Sequence, residues 1–516
     1  MAKTKIHDFN PSGYLFLDVP DTKLAKIIDE ALSLGSRFSE ITEAIEEDLE
    51  RAGKKAKFDR LRVHRWEQSK NPDLPWDSLP EEKEVRLAEL SLETGRPRMI
   101  AETVYLFLVL RGYFGSVSDQ HAAERFRDSI TVRNYFETRG IKIPAPRTIM
   151  DNLSHVSQAT RDLIISCQMT AVINDGLDAL DYVTLDSTSV WSNSQWPTDS
   201  EMINKIVERA YRTGQKMYLF RLPNFREWKL PTWLKKLDKL SFEIANCAGK
   251  RGSRRKRKKF YRKVRHIGLK AVARLESELS MVETAYKPGD CGPLVSDRLT
   301  KIFLNMRQDF EDVRRICDYN CKRIEEDISV PSAEKVLSIA DPDAAMIVKG
   351  GRQPVLGYKP QLVRTREGFV SAAIFEAGNV SDAKSLVPLV EQHRRNTGVW
   401  PETVVADDGY ASSANRKEML DGGTAKVSFS GGTGKKIMPD EEWDDPDFLA
   451  LRNSRSAVES VMFTLKYCFS FDRVRRRGME AVREELSEKI IAHNFWRMAL
   501  MRERKGKPPA GLKPAA

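Results

Sequence analysis

The sequence predicts an α/β protein in which a mixed sheet flanked by helices is interrupted by a large helical insertion after its first strand. The first 175 residues have helical periodicity, and short β-rich segments occur near residue 183 and again between 336 and 430. The stretch between them, roughly 130 residues long, is again helical and strongly basic. We therefore expect an all-helical N-terminal region followed by a β-containing core that is split in two.

The composition favours a globular protein with a polyanionic partner. Of 516 residues, 41% are hydrophobic and 31% are charged, and the net charge is +11. This excess suits nucleic acid, because neutralising phosphates drives binding. A membrane surface would also suit it, but we find no run of about 18 apolar residues and no signal-peptide pattern. Six cysteines in so long a chain predict neither a disulfide framework nor a zinc site, so a reducing cytoplasm is the expected location.

The N-terminal region is predicted to contain two helical parts. Residues 1–95 form the first, with helices at 21–34, 38–56 and 81–94. Residues 96–175 form the second, which begins with an apolar, buried helix at 99–111. Two further helices flank the break KIPAP and resemble a helix-turn-helix. DNA reading and plain core packing both remain open for this pair.

The core is predicted at 176–200 and 335–500, around the helical insertion at 201–334. Its strands are DYVTLD, VLSIAD, LGYKPQLVRT, GFVSAAIFEA, ETVVAD and KVSFS, with a hairpin through residues 366–368 and a helix at 384–395. The last core helix contains RSAVESVMFTLKY, and a disordered tail is predicted at 501–516.

Two carboxylates follow strands of this core. Asp186 and Asp407 each end a predicted strand and open into a polar loop, the position where ligands gather in open α/β sheets. Glu459 lies on the last core helix, on one face with Arg455 and Lys466. Three oxygen donors beside a basic groove suit Mg²⁺, and two such ions can promote phosphoryl displacement.

Simpler explanations exist for each of these carboxylates. An Arg–Glu pair four residues apart is a common helix-stabilising contact, and an aspartate at a strand end is often a turn or cap residue. Asp408 directly follows Asp407 and is an alternative ligand. Spacing alone does not choose between these residues and four other loop carboxylates, Asp199, Asp341, Asp343 and Asp382.

Six segments together carry a resemblance to a known family. They are LDSTSVWSNSQWPTDS, SIADPDAAMIVKG, LGYKPQLV, AGNVSDAKSL, VVADDGYASSANRKEML and RSAVESVMFTLK. On these segments the chain, from about residue 90 to 500, resembles bacterial insertion-sequence transposases of the DDE class, which have a ribonuclease-H-like catalytic core. The resemblance implies an enzyme with Asp186, Asp407 and Glu459 as catalytic metal ligands. It also implies Mg²⁺ (with Mn²⁺ as a substitute), double-stranded DNA as transposon ends and target, a homodimer on DNA, and a place in the bacterial nucleoid.

Two family signatures assign individual residues. The Asp-x-Gly-Tyr motif selects Asp407 over Asp408 and adds Tyr410 as a DNA contact. The signature Tyr-x2-Arg-x3-Glu-x6-Lys is matched by Arg455, Glu459 and Lys466, which implies that Arg455 and Lys466 hold transposon-end phosphates. Its tyrosine position is occupied by Arg452, so the role of that aromatic residue does not transfer to this chain.

Further DNA contacts are predicted from basic and aromatic residues. Residues 251–265 contain ten Lys or Arg and lead into an apolar helical pattern, which favours contact with the DNA backbone over a solvated face. A second basic segment, RVRRRG, begins at residue 473. Trp191 and Trp196 follow the first aspartate and either stack on an unpaired base or pack in the core. The individual candidates in the basic segments are Arg254, Arg255, Arg257, Lys258, Arg262, Arg475 and Arg476.

The sequence thus predicts a DNA transposase that cuts the inverted-repeat ends of its element and joins the 3′ ends to target DNA. Two alternatives remain. One is a metal-dependent nuclease without strand transfer, and the other is an inactive or domesticated DNA-binding protein that keeps the basic surfaces.

Overall fold

A computed structural model describes residues 22–70, 98–115, 119–194, 198–218, 232–247, 252–286, 291–331, 334–348 and 353–506. The chain divides into two compact units. Of the described residues, the first unit contains 22–50, 98–193 and 343–506, and the second contains 51–70 together with those between 194 and 342. The helix predicted at 81–94 and the part of the tail after residue 506 lie outside the described residues. No helix within the described ranges is long and apolar enough to cross a membrane.

The described part of the region before the first strand is helical, as predicted. The apolar helix predicted at 99–111 is present as α3 and is buried along nearly its whole length. Its Phe107 ring stacks between Phe126 and Phe136, with centroids 5.3 and 5.2 Å away. The helices are α1 (Thr22–Arg37), α2 (Ser39–Lys70), α3 (Ala101–Tyr113), α4 (Asp119–Asp128), α5 (Ile130–Glu137), α6 (Pro146–Leu153) and α7 (Gln158–Asn174).

The predicted helix-turn-helix is wrong in one respect. The segment expected to be a short turn contains helix α5 and then the loop 138–145 before α6 begins at Pro146. Ser129 separates α4 from α5 and caps α5, since its side chain accepts a hydrogen bond from the Val132 amide. DNA reading by these helices therefore stays a prediction without a helix-turn-helix geometry to support it.

The first unit contains a mixed five-stranded sheet. Its order is β6-β5-β1-β7-β8, with β1, β7 and β8 parallel to one another and β5 antiparallel to both β1 and β6. A smaller sheet has the order β2-β4-β3. The strands are β1 (Tyr182–Ser187), β2 (Val190–Trp191), β3 (Ala345–Ile347), β4 (Val355–Tyr358), β5 (Gln361–Thr365), β6 (Val370–Ile374), β7 (Thr403–Ala406) and β8 (Lys426–Phe429).

Strand β1 is the centre of the larger sheet because its residues suit burial on both faces. Val183 and Leu185 are fully buried, as are Val404 and Ala406 on the neighbouring strand β7. Such continuous apolar runs are typical of parallel strands covered by helices. The polar residues that follow these runs are therefore placed at one edge of the sheet.

Two predicted strands are corrected by the structure. Residues 336–341 (VLSIAD) do not form a strand, and the predicted strand LGYKPQLVRT is divided at Lys359 and Pro360 into β4 and β5, which belong to different sheets. Proline ends a ladder because it has no amide hydrogen to donate. The hairpin through residues 366–368 is present, and Gly368 adopts a φ of +88° in its turn.

Helices cover the larger sheet and complete the first unit. The helix predicted at 384–395 is confirmed. The helix that contains Glu459 begins at Ala457, two residues after Arg455. The last helix continues to Lys505, five residues into the predicted tail. The helices are α12 (Asp382–Thr397), α13 (Ser413–Asp421), α14 (Gly431–Ile437), α15 (Asp440–Trp443), α16 (Pro446–Ser454), α17 (Ala457–Cys468) and α18 (Met479–Lys505), with a 3₁₀ turn at Asp408–Tyr410.

Helix α18 packs against both the N-terminal helices and the larger sheet. It packs against α1, α3 and α7, and Glu488 near its middle is almost fully buried. The Glu488 carboxylate accepts hydrogen bonds from Arg111 of α3 and from Arg161 of α7 at 2.5–2.9 Å. Burial opposes ionisation, but Arg111, Arg161 and Arg476 outweigh it and lower the pKa of Glu488 to about 2.

The second unit has its own helical core. In the described part of 201–334, apolar side chains of four helices, such as Ile206, Leu237, Val264 and Phe310, pack together. The helices are α8 (Asp199–Tyr218), α9 (Thr232–Asn246), α10 (Ser253–Ala285) and α11 (Pro293–Asn320), and α11 ends in a π-helical turn (Cys321–Glu325). This arrangement is consistent with the predicted basic helical block between the two parts of the β-containing core.

Candidate active site

Neighbouring parallel strands place Asp186 and Asp407 side by side. Leu185 of β1 pairs with Ala406 of β7, so the residue after each pair is one of the two aspartates. Since the strands run in the same direction, both carboxylates emerge at the same edge of the sheet. This arrangement was expected from the two strand-ending aspartates in the sequence.

Local hydrogen bonds orient both aspartates. The Ser187 amide donates to Asp186 Oδ1 at 2.7 Å, and the Ser430 hydroxyl, which directly follows β8, donates to Asp407 Oδ1 at 3.0 Å. The Asp186 side chain is 14% exposed and that of Asp407 is 48% exposed. Both carboxylates are therefore held in place, and that of Asp407 is the more exposed.

Helix α17 supplies the third carboxylate. Val458, Val461, Met462 and Leu465 are buried, as predicted, and α17 packs against β1 through this unit's core. Glu459 lies on the opposite, solvent-exposed side in the first turn of the helix, and 65% of its side chain is exposed.

Arg455 lies among the three carboxylates. Its guanidinium nitrogens are 3.6 Å from Asp186 Oδ2, 4.0 Å from Asp407 Oδ1 and 3.3 Å from Glu459 Oε1. The simple Arg–Glu pair considered from the sequence is thus present, but the same guanidinium also faces both aspartates. One cation joins residues that are far apart in the sequence.

Asp408 has a different environment from Asp407. Its Oδ1 accepts hydrogen bonds from the Thr433 and Gly434 amides at 2.8 and 2.9 Å, and its Oδ2 accepts one from the Thr433 hydroxyl. Gly431 permits this contact, because a Cβ there would lie 2.6 Å from Asp408 Cγ and because its φ is +88°. The Asp408 carboxylate therefore binds the backbone amides in the first turn of α14.

The expectation that Tyr410 contacts DNA is wrong for this structure. The side chain is fully buried, and its hydroxyl donates to Gln361. Burial, and then the negative charges of Asp382, Asp186 and Asp407, raise the pKa of Tyr410 well above its usual value, so the phenol stays neutral. Tyr410 anchors the loop that presents Asp407.

The other loop carboxylates have structural partners. Asp382 accepts hydrogen bonds from Gln361 and Lys359 at 2.6 and 2.9 Å, and Asp343 accepts one from the Met479 amide at the start of α18. Asp199 and Asp341 belong to the second unit, where Asp199 pairs with Arg323 at 2.9 Å.

Residues predicted to contact DNA near this site differ in accessibility. Trp191 is 38% exposed on β2, whereas Trp196 lies outside the described residues. Lys466 is half-buried on α17. Arg475 is exposed, whereas Arg476 is only 13% exposed and pairs with Glu484 at 2.9 Å; DNA contact by either residue stays a prediction.

Arg452 and two aromatic residues were not anticipated from the sequence. Arg452 stacks on the Trp443 ring at 4.0 Å, so this position of the family signature has a packing role here. Phe463 and Tyr467, one and two turns after Glu459, are 62% and 75% exposed, with ring centroids 4.3 Å apart. Their spacing along the helix was a detectable signal, because it places both on the exposed side of α17.

The basic residues between 251 and 265 fall into two groups, and those of the first group pair with carboxylates. Arg254 and Lys258 pair with Asp327, and Arg262 and Arg265 pair with Glu325. The remaining cations of α10 between 255 and 263 are exposed: Arg255, Lys256, Arg257, Lys259 and Lys263. Arg251 lies outside the described residues.

The fold and the site define an α/β protein that presents carboxylates at the carboxyl edge of parallel strands. Residues 341–495 match the family model of the transposase DDE domain, which supports an insertion-sequence DDE transposase and confirms the resemblance seen in the motifs. The matched segment contains Asp407 and Glu459. Proteins with this domain generally use divalent metal ions. No curated protein and no solved structure matches the chain.

Proposed function

We propose that the protein binds the terminal inverted repeats of an insertion sequence, cleaves phosphodiester bonds there and joins the freed 3′ ends to target DNA. The observation that carries the proposal is the convergence of Asp186, Asp407 and Glu459 on Arg455 in a chain with a transposase DDE domain. The parallel strands and flanking helices are consistent with a ribonuclease-H-like core. A homodimer on DNA would bring two transposon ends together.

The three carboxylates suit Mg²⁺ or Mn²⁺ in their chemistry, since hard cations prefer oxygen ligands. Within the described residues, however, no group of three or more Asp, Glu, His or Cys side chains is arranged to hold a metal ion. When bound, such ions activate a water or a 3′-hydroxyl and stabilise the leaving oxygen of an in-line displacement. The chain contributes the orientation of the carboxylates through Ser187 and Ser430.

Asp407 is the better second ligand. Both carboxylate oxygens of Asp408 accept hydrogen bonds from α14. In contrast, 48% of the Asp407 side chain is exposed, and its Oδ1 lies 4.0 Å from the Arg455 guanidinium. Phe463 and Tyr467 follow Glu459 by one and two turns of α17, and their exposed rings suit stacking on an unpaired base at a DNA end.

Cleavage and joining are expected to require Mg²⁺ or Mn²⁺, with Ca²⁺ supporting DNA binding but little chemistry. The reason is that Ca²⁺ takes longer and more variable coordination, which suits in-line displacement poorly. End-labelled inverted-repeat DNA and a supercoiled target would be incubated with each ion and with excess EDTA. Cleavage without joining would favour the nuclease, specific binding without cleavage would favour an inactive DNA-binding protein, and full activity in EDTA would exclude the proposed chemistry.

The exposed cations of α10 are expected to bind DNA phosphates. Replacing Arg255, Lys256, Lys259 and Lys263 by Gln should weaken binding to end DNA and random DNA together. It should also flatten the slope of log K against log salt by up to roughly 3–4, since each phosphate contact contributes about 0.9. Binding would be measured by fluorescence anisotropy across a salt series.

A matched control replaces the cations of α10 that already have carboxylate partners. The quadruple variant Arg254→Gln, Lys258→Gln, Arg262→Gln and Arg265→Gln removes the same number of charges and should change the slope less, because Asp327 and Glu325 compete with phosphate for these side chains. Equal slopes for the parent protein and the exposed-cation variant would show that this face of α10 does not bind DNA.

A further inference from the structure

Arg455 is placed to do more than hold a phosphate. Its guanidinium lies within 4.0 Å of all three proposed metal ligands, and 22% of the side chain is exposed. Strong charge-assisted hydrogen bonds are shorter, about 2.7–2.9 Å, so Arg455 is not committed to any one carboxylate. It is positioned as a shared counter-ion.

The need for such a counter-ion follows from electrostatics. Three carboxylates gathered at one edge of the sheet repel one another, and this repulsion favours movement of the exposed Glu459 away from the site. Arginine is suited to prevent this, because its guanidinium stays protonated at any relevant pH and offers donors in several directions.

We propose that Arg455 is a positioning residue that holds Asp186, Asp407 and Glu459 together before a divalent metal binds, and that it must leave the carboxylates when the metal arrives. This proposal rests on the proposed function, since it assumes that these three residues are the metal ligands. The new element is that the Arg455 side chain and the metal compete for the same carboxylate oxygens.

Distances support displacement over coexistence. Mg²⁺ binds oxygens at about 2.0–2.1 Å, whereas the carboxylate oxygens here are 3.3–4.0 Å from the Arg455 nitrogens. The carboxylates are therefore spread more widely around the guanidinium than they would be around a metal ion. A divalent cation would draw the oxygens inward and repel the guanidinium, which becomes available for a DNA phosphate.

Metal affinity in the absence of DNA tests this competition. Mn²⁺ binding would be measured by isothermal titration calorimetry and by electron paramagnetic resonance for the full-length protein, Arg455→Gln and Arg455→Lys. Arg455→Gln should bind Mn²⁺ about 3- to 10-fold more tightly, because the competing charge is gone. Arg455→Lys should lie close to the parent protein. The rise in Tm on adding Mn²⁺ should be largest for Arg455→Gln, because its metal-free form lacks the counter-ion.

Two control variants separate the possible outcomes. Arg452→Gln removes a nearby arginine that stacks on Trp443 and should leave Mn²⁺ affinity unchanged. Equal Mn²⁺ affinity of the parent protein and Arg455→Gln would overturn the counter-ion role and leave the metal site standing. If Asp186→Asn bound Mn²⁺ as tightly as the parent protein, the proposed metal site itself would fail, and the counter-ion role with it.

Discussion

Asp407→Asn is expected to reduce cleavage of transposon ends on the order of 10³-fold or more, whereas Asp408→Asn should retain most of the activity. The asparagine at 407 keeps the shape of the side chain and its contact with Ser430, but it removes the negative charge that a metal ligand needs. Charge stabilisation by a bound metal is worth several kcal/mol, and each 1.36 kcal/mol corresponds to a tenfold change in rate. Single-turnover cleavage of labelled end DNA measures the loss.

The same assay applied to Asp186→Asn and Glu459→Gln should give losses of similar size, with end binding and folding largely intact. Asp408→Asn should instead lower stability by only about 0.3–1 kcal/mol, because the asparagine Oδ1 still accepts from the amides of the first turn of α14 and only the negative charge at that end of the helix is lost. An inactive Asp408→Asn variant beside an active Asp407→Asn variant would reverse the assignment of the second ligand.

Glu488→Gln is expected to lower the free energy of unfolding of the first unit by about 3–5 kcal/mol, because it leaves two buried guanidinium groups without a full countercharge. Arg161 is fully buried and Arg111 nearly so, and both bind Glu488 directly. Urea unfolding followed by far-UV circular dichroism measures the change. Glu484→Gln is the matched control. Because Glu484 is 19% exposed, its replacement is expected to lower the free energy of unfolding by less.

The contribution of Glu488 also depends on pH in a predictable direction. Its pKa is lowered to about 2 in the folded protein, below the value of about 4.3 for an unperturbed glutamate. Its stabilisation is therefore fully present above about pH 4.3 and is lost as the pH falls toward 2. Between these values, the stability of Glu488→Gln should fall less steeply with acidification than that of the parent protein. Parallel pH profiles would contradict the assigned role.

The sequence predicted the elements whose signals are local. The strands before Asp186 and Asp407 are short apolar runs that end in a carboxylate, and the buried residues around Glu459 follow helical spacing. Each of these patterns reports on the chain within one element, and the structure contains all three elements. The convergence of the two aspartates then required only that β1 and β7 be parallel neighbours, and the addition of Glu459 required that α17 pack against β1.

The sequence misled where the partner of a side chain lies far along the chain. Tyr410 belongs to a family motif, but it is buried and its hydroxyl donates to Gln361, and the basic run contains cations whose partners are Asp327 and Glu325. No local pattern predicts these contacts. The strand predicted at 336–341 failed for the opposite reason, because its apolar residues satisfied a local pattern without a neighbouring strand to pair with.

Helix α18 has a consequence for how the protein is made. Helices α1, α3 and α7 are synthesised before α18, the helix that packs against all three of them. At a translation rate of about 5–20 residues per second, roughly 15–70 seconds pass between the end of α7 and the completion of α18. During that time the apolar surface of α3 lacks its native cover on the ribosome. We therefore expect an interrupted chain that lacks α18 to leave the apolar surface of α3 uncovered, which favours its aggregation or proteolysis.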